Sequence, residues 1–166
     1  KIGERWYIGD DYNSSIGQGY VTATPLQVLN SIVAIANGGT LYEPRIVSQI
    51  RSYDGKVTPV PTKVIREKFV DSNIIRIVRE GMRETVTEGT AQALADLPIE
   101  VAGKTGTAQF GNESKTHGWF VSFAPYEAPE LALVVLVEGQ GEEGYNAVPV
   151  TKDVYSWYFG REKKEE

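Results

Sequence analysis

Between Ile99 and Glu138 the chain carries three strand-length runs, 99–109, 117–124 and 131–138, and no other stretch constrains its fold as much. The first two read as a hairpin and all three as an antiparallel meander. The third, Leu131 to Val137, is almost wholly apolar and is expected to be buried on both faces. Helical patterns precede the meander and another follows it. That order defines an α+β fold, not a βαβ repeat.

The helix signals upstream are explicit. Thr24 is placed to cap a helix, Pro25 fits the first turn, and Gln27 completes a capping-box spacing. Leu29, Ile32, Val33 and Ala36 then recur at helical spacing until Gly38-Gly39 stops the run. Asp71 caps a second helix, on which Ile74, Val78, Met82 and Val86 fall one turn apart, with Glu88-Gly89 at its end. Residues 40–70 read as short strands and turns, with Tyr53-Asp54-Gly55-Lys56 a hairpin tip between Ile46–Ile50 and Lys56–Val60. The closing helix, residues 148–159, is expected to turn Val150, Val154, Trp157 and Tyr158 to one side. Residues 1–23 read as irregular, with Trp6 and Tyr7 as packing anchors, and Arg161 to Glu166 as a charged, disordered tail.

A length of 166 residues suffices for one domain with a sizeable core. The net charge is −5 and the body of the chain has no basic stretch, which argues against nucleic acid as a partner, because phosphate neutralisation needs clustered Lys and Arg. Cysteine is absent, excluding disulfides and Cys-ligated zinc. No window approaches the roughly 20 apolar residues of a membrane span. There is no starting Met and no signal-peptide pattern, so Lys1 is expected to be internal to a longer polypeptide, with any anchor upstream.

Lys104-Thr105-Gly106-Thr107 places a cation, two hydroxyls and a side-chain-free position on the first strand of the meander. Alternation puts Lys104 and Gly106 on one face and Thr105 and Thr107 on the other. Such a strand edge suits a carboxylate and a peptide backbone. The Gly-Lys-Thr letters also suggest a phosphate-binding loop, but that loop needs glycine where this chain has Pro98, and it needs a helix, not a strand, to follow.

Five further blocks set Lys-Thr-Gly in context: Ser15-Ile16-Gly17-Gln18-Gly19-Tyr20, Thr24-Pro25-Leu26-Gln27, Ala36-Asn37-Gly38-Gly39, Gly89-Thr90-Ala91 and His117-Gly118-Trp119-Phe120-Val121. In order and spacing they resemble the high-molecular-weight class B penicillin-binding proteins, in particular the elongation-type penicillin-binding protein 2 group. The resemblance implies the C-terminal portion, residues 1–160, of a serine transpeptidase domain with a β-lactamase/transpeptidase-like fold. Three antiparallel strands and flanking helices would be present, and upstream strands would complete the sheet. It further implies an extracytoplasmic enzyme of cell-wall synthesis and cell shape, anchored by an N-terminal segment and probed by β-lactams. The substrate would be the D-Ala-D-Ala end of a peptidoglycan stem peptide, and the partner a membrane glycosyltransferase. No cofactor or metal is implied. Lys104 would supply positive charge, Thr105 would help to bind the substrate carboxylate, and Gly106 would leave room for the peptide. The Thr107 backbone N–H would be an oxyanion-hole donor.

In that family the nucleophile lies in Ser-x-x-Lys and a second motif is Ser-x-Asn or Ser-x-Asp. None of Ser14, Ser15, Ser31, Ser48, Ser52, Ser72, Ser114, Ser122 and Ser156 has Lys three positions on, and none has Asn two positions on. Ser52-Tyr53-Asp54 matches the second motif in letters but follows the Gly17-Gln18-Gly19 block, and a turn explains it better. Both motifs are therefore expected upstream, leaving this chain inactive alone and its sheet edge open to pairing between chains, with marginal stability. A carboxypeptidase, β-lactamase or β-lactam sensor on the same scaffold remains open, as does a non-catalytic binding module. His117 reads as a packing residue, not a triad base. Glu142-Glu143 reads as a solvated turn, since a calcium loop needs stricter spacing. Gly17-x-Gly19 lacks the third glycine of a dinucleotide site. Trp119, Phe120 and Phe123 fit a groove wall or core.

Overall fold

The sheet at the centre of the chain is an antiparallel meander of β5 (Ala102–Phe110), β6 (Lys115–Ala124) and β7 (Leu131–Gln140), with β6 in the middle. The computed structural model describes residues 3–110, 115–140 and 147–162. Ahead of the sheet come α1 (Ile8–Ser15), α2 (Pro25–Ala36), β1 (Thr40–Tyr42), β2 (Gln49–Arg51), β3 (Val57–Pro59), β4 (Val64–Glu67) and α3 (Ser72–Thr87). A single 3₁₀ turn at Gln92–Leu94 leads into β5, and α4 (Ala147–Glu162) follows β7. Strands β1 and β4 pair antiparallel, as do β2 and β3.

Local chemistry sets most of these elements. The Thr24 hydroxyl accepts from the Gln27 N–H at 3.3 Å, while the Gln27 carboxamide accepts from the Thr24 N–H at 2.8 Å. Asp71 accepts from the Asn73 N–H at 2.8 Å and caps α3. The hairpin tip pairs Gln49 with Pro59 and Arg51 with Val57, so its strands are shorter than the sequence suggests. Ser52-Tyr53-Asp54 lies in that turn. One expectation fails at the N-terminus. Residues 8–15 form helix α1, and Trp6 and Tyr7 are exposed; Trp6 donates to Asp11 at 2.8 Å instead of entering a core. Asp10 accepts from the Tyr7 N–H at 2.8 Å, a helix start supplied by an acid three residues on.

The sheet is covered on both faces. Against one face α4 packs Tyr155 and Phe159 onto Phe120, with Val86, Leu94 and Val101 closing that core. Against the other, Ile32 and Ala36 of α2 and Met82 of α3 meet Ala102 and Phe123. Two helical faces therefore differ from the spacing argument. On α3 the buried residues are Ile75, Met82 and Val86, while Ile74 and Val78 are exposed. On α4 they are Ala147, Val148, Thr151, Tyr155 and Phe159, while Val150, Trp157 and Tyr158 are exposed and Val154 is half-buried. Apolar residues surround α4, so spacing alone does not choose its inner face. Strand β7 is half-buried from Leu131 to Val137, not buried on both faces. It is an edge strand, and among the described residues no strand pairs with its outer side. Helix α4 includes Arg161 and Glu162; residues 163–166 lie outside the described residues, as do Glu142 and Glu143.

One buried polar pair joins α4 to the sheet. The hydroxyls of Ser122 and Tyr155 are 2.9 Å apart and both residues are wholly buried. Burial pushes the Tyr155 phenol well above its ordinary pKa, against the opposing pull of the Ser122 bond. The folded chain thus holds this proton more tightly than the unfolded one. Its contribution to stability is fully present below the unfolded phenol pKa of about 10 and is lost as pH rises beyond it. Tyr155→Phe is expected to cost about 1–2 kcal/mol near neutrality, by stranding the Ser122 hydroxyl, and to flatten the alkaline decline. Urea midpoints from neutral to strongly alkaline pH test this. Parallel decline of both proteins would assign the loss to other groups.

Candidate functional site

The Lys104–Thr107 segment lies on the outer edge of the sheet. Glycine at 103 is required by packing: a Cβ there would sit 2.5 Å from the Phe120 ring and 2.8 Å from the Val121 carbonyl. Past this crossing, Lys104 pairs with Val121 and Gly106 with Trp119. These four residues share the α2-facing side of the sheet, as strand alternation requires. They line a cleft of about 350 Å³ whose opposite wall is Ile16, Gly17, Val21, Ala23 and Val28. At Gly106 a Cβ would lie 3.4 Å from the Trp119 Cβ, so the missing side chain leaves the cleft open there.

Lys104 is exposed and its Nζ donates to the Thr105 carbonyl at 3.0 Å. Thr105 pairs with Phe120, and its hydroxyl is 2.9 Å from that of Thr90, in the stretch that follows α3. Gln18 Nε2 donates to the Thr107 carbonyl at 3.1 Å. That bond also shows which way the neighbouring donor faces. A residue in an antiparallel strand sends its N–H and its C=O to the same side, so the Thr107 N–H also points away from β6 and toward the cleft. The site therefore presents an outward amide pair at Thr107, a cation three residues back along β5, and an apolar wall.

Trp119 belongs to the cleft, whereas Phe120 and Phe123 are wholly buried core. His117 stands on β6, half-buried, and its Nδ1 accepts from the Gly139 N–H at 3.3 Å. Two contributors had no local signal. Thr90 and Gln18 reach β5 from segments 15 and 89 positions away. Only the Gly17-Gln18-Gly19 and Gly89-Thr90-Ala91 blocks marked their neighbourhoods.

Residues 2–156 match the family described as the penicillin binding protein transpeptidase domain. The chain belongs to that family, and its mixed helix-and-sheet architecture, with three antiparallel strands and flanking helices, is the β-lactamase/transpeptidase fold. In sequence it is 31% identical over 178 residues to the peptidoglycan D,D-transpeptidase MrdA of Haemophilus influenzae, covering 94% of this chain and 27% of that protein. In structure it is similar to penicillin-binding protein A of Mycobacterium tuberculosis, solved as an imipenem acyl-enzyme complex, with a TM-score of 0.76, 31% identity, and coverage of 86% of this chain and 32% of that one. It is also similar to penicillin-binding protein 2 of Helicobacter pylori, with a TM-score of 0.68, 32% identity, and coverage of 96% and 29%. The chain spans 19–30% of the length of the curated relatives it matches.

Proposed function

We propose that this chain forms the substrate-gripping wall of a serine-type peptidoglycan D,D-transpeptidase. The observation that carries the reading is the outward amide pair of Thr107 in a cleft shared with Lys104 and the side-chain-free Gly106. A stem peptide ending in D-Ala-D-Ala lies antiparallel along β5. Its scissile carbonyl takes the Thr107 N–H as one oxyanion-hole donor, and Lys104 supplies positive charge. Thr105 helps to hold the terminal carboxylate; when Thr90 donates in their shared bond, the Thr105 O–H is left for the ligand. A serine hydroxyl then attacks the carbonyl, its proton passes to a neighbouring base, and the terminal D-Ala departs with a proton. An amine of a second strand attacks the resulting ester and regenerates the serine.

The Ser-x-x-Lys nucleophile and the second motif belong, in this proposal, to a longer polypeptide carrying this chain, of whose MrdA relatives the chain matches only 26–28%. The upstream part of the same domain adds its strand at the outer side of β7. The whole enzyme works outside the cytoplasmic membrane, held by an N-terminal anchor, alongside a membrane glycosyltransferase, in building the wall that sets cell shape. Residues 1–160 form part of one transpeptidase domain, with the charged tail outside it.

Intact-mass analysis after penicillin treatment tests the proposal. The longer polypeptide is expected to gain one covalent adduct, and the 166-residue chain none. An adduct on any serine of this chain would overturn the assignment of the nucleophile. Failure of the longer polypeptide to react while folded would favour a binding module over an enzyme.

A further inference from the structure

Gln18 occupies a position that the proposed substrate also needs. Its backbone is fixed: Gly17 and Gly19 flank it with φ of +74° and +71°, and its N–H donates to the Asn13 carbonyl at 2.9 Å. A Cβ at Gly19 would lie 3.1 Å from the Asn13 Cβ, so the loop is pressed close against the end of α1. From this anchor the carboxamide reaches 3.1 Å from the Thr107 carbonyl. The bond lies between the cleft beside Lys104 and a second, more polar hollow of about 700 Å³ that includes Asn13, Gln18 and Gln109.

An antiparallel partner residue placed opposite Thr107 exchanges both backbone bonds with it. Its carbonyl accepts from the Thr107 N–H, and its own N–H donates to the Thr107 carbonyl. A ligand whose reactive carbonyl enters the oxyanion position therefore carries its adjacent N–H to the point where Gln18 Nε2 now donates. A carboxamide has the donor and acceptor chemistry of one peptide group. We infer that Gln18 is a displaceable stand-in for the substrate amide, satisfying the edge of β5 until a ligand N–H replaces it. It is a positioning residue that weakens preference for ligands bearing that N–H by competing for the same carbonyl, and the inference rests on the transpeptidase reading above.

Displacement exchanges one neutral hydrogen bond for another, so an amide ligand gains little from Thr107 while Gln18 competes. Gln18→Met keeps the length of the side chain and removes the donor; Gln18→Ala removes both. In the longer polypeptide, acylation efficiency is measured with penicillin G, which has a side-chain amide N–H, and with penicillanic acid, which has the same bicyclic core and no such group. Gln18→Met is expected to raise the efficiency for penicillin G about 2- to 12-fold, the ratio carried by one neutral hydrogen bond, and to change that for penicillanic acid less than about 2-fold. Gln18→Ala should repeat the pattern if its melting temperature is retained. An equal change for both ligands, or a loss confined to penicillin G, overturns the inference and leaves Gln18 a loop support. A wild-type polypeptide that reacts with neither ligand overturns the transpeptidase reading and this inference with it. A wild type that reacts but whose variants show no amide-dependent difference overturns this inference alone.

Discussion

Lys104→Ala is expected to slow acylation of the longer polypeptide by a β-lactam about 100- to 1,000-fold, the loss typical of removing one preorganised donor or charge at a reacting carbonyl. Lys104 lines the cleft and is exposed, and its ammonium donates to the Thr105 carbonyl. Among the described residues no carboxylate forms an ion pair with it, so its charge is available to an anionic ligand. Exposed positions outside packed contacts usually change stability by no more than about 0.5 kcal/mol, which keeps the variant folded. Lys104→Arg retains the charge on a longer, planar group and should recover part of the rate. A loss below 10-fold in Lys104→Ala with unchanged circular dichroism would remove Lys104 from the site.

Arg79→Ala is expected to destabilise the chain by about 3 kcal/mol, because a charged donor satisfying two carbonyls is removed and both are left wanting. The guanidinium, half-buried on α3, donates to the carbonyl of Ala36, the last residue of α2, and to that of Tyr126, just beyond β6. Its central carbon also stands 5.1 Å from the Phe123 ring centre and 5.3 Å from that of Tyr126. One side chain thus ties two helices to the end of the sheet, with the favourable placement of a cation at a helix C-terminus and over aromatic faces. Arg79→Lys keeps the charge but loses the planar fork that serves both carbonyls, and should cost about half as much. Urea denaturation followed by circular dichroism measures both. A loss under 1 kcal/mol for Arg79→Ala would mean that water replaces the side chain at both carbonyls.

The bounds of helix α2 were legible because its start and stop are local: Thr24 with Gln27 at one end and Gly38-Gly39 just past the other. The meander was legible because three strand-length runs separated by polar stretches are local features, whereas its register, with Lys104 opposite Val121 and Gly106 opposite Trp119, came from the structure. Helix α1 was not. Its short run carries few apolar residues and none is buried, so periodicity had nothing to mark. Nor were the faces of α3 and α4. Apolar residues lie on several sides of each, and burial follows what the sheet offers: Tyr155 turns inward where Ser122 provides a hydroxyl, while Trp157 stays out.

The sequence by itself determined the family, the antiparallel meander, and the segment that carries the cation and the side-chain-free position, because each depends on residues adjacent in the chain or on fixed strand geometry. Tertiary structure alone decided which partners complete the site. Thr90 meets Thr105 and Gln18 meets Thr107 only after α3 and the 16–23 segment have closed on β5, bringing together groups 15 and 89 positions apart. Local propensity contains no term for such a meeting; it is set by how the helices pack against the sheet.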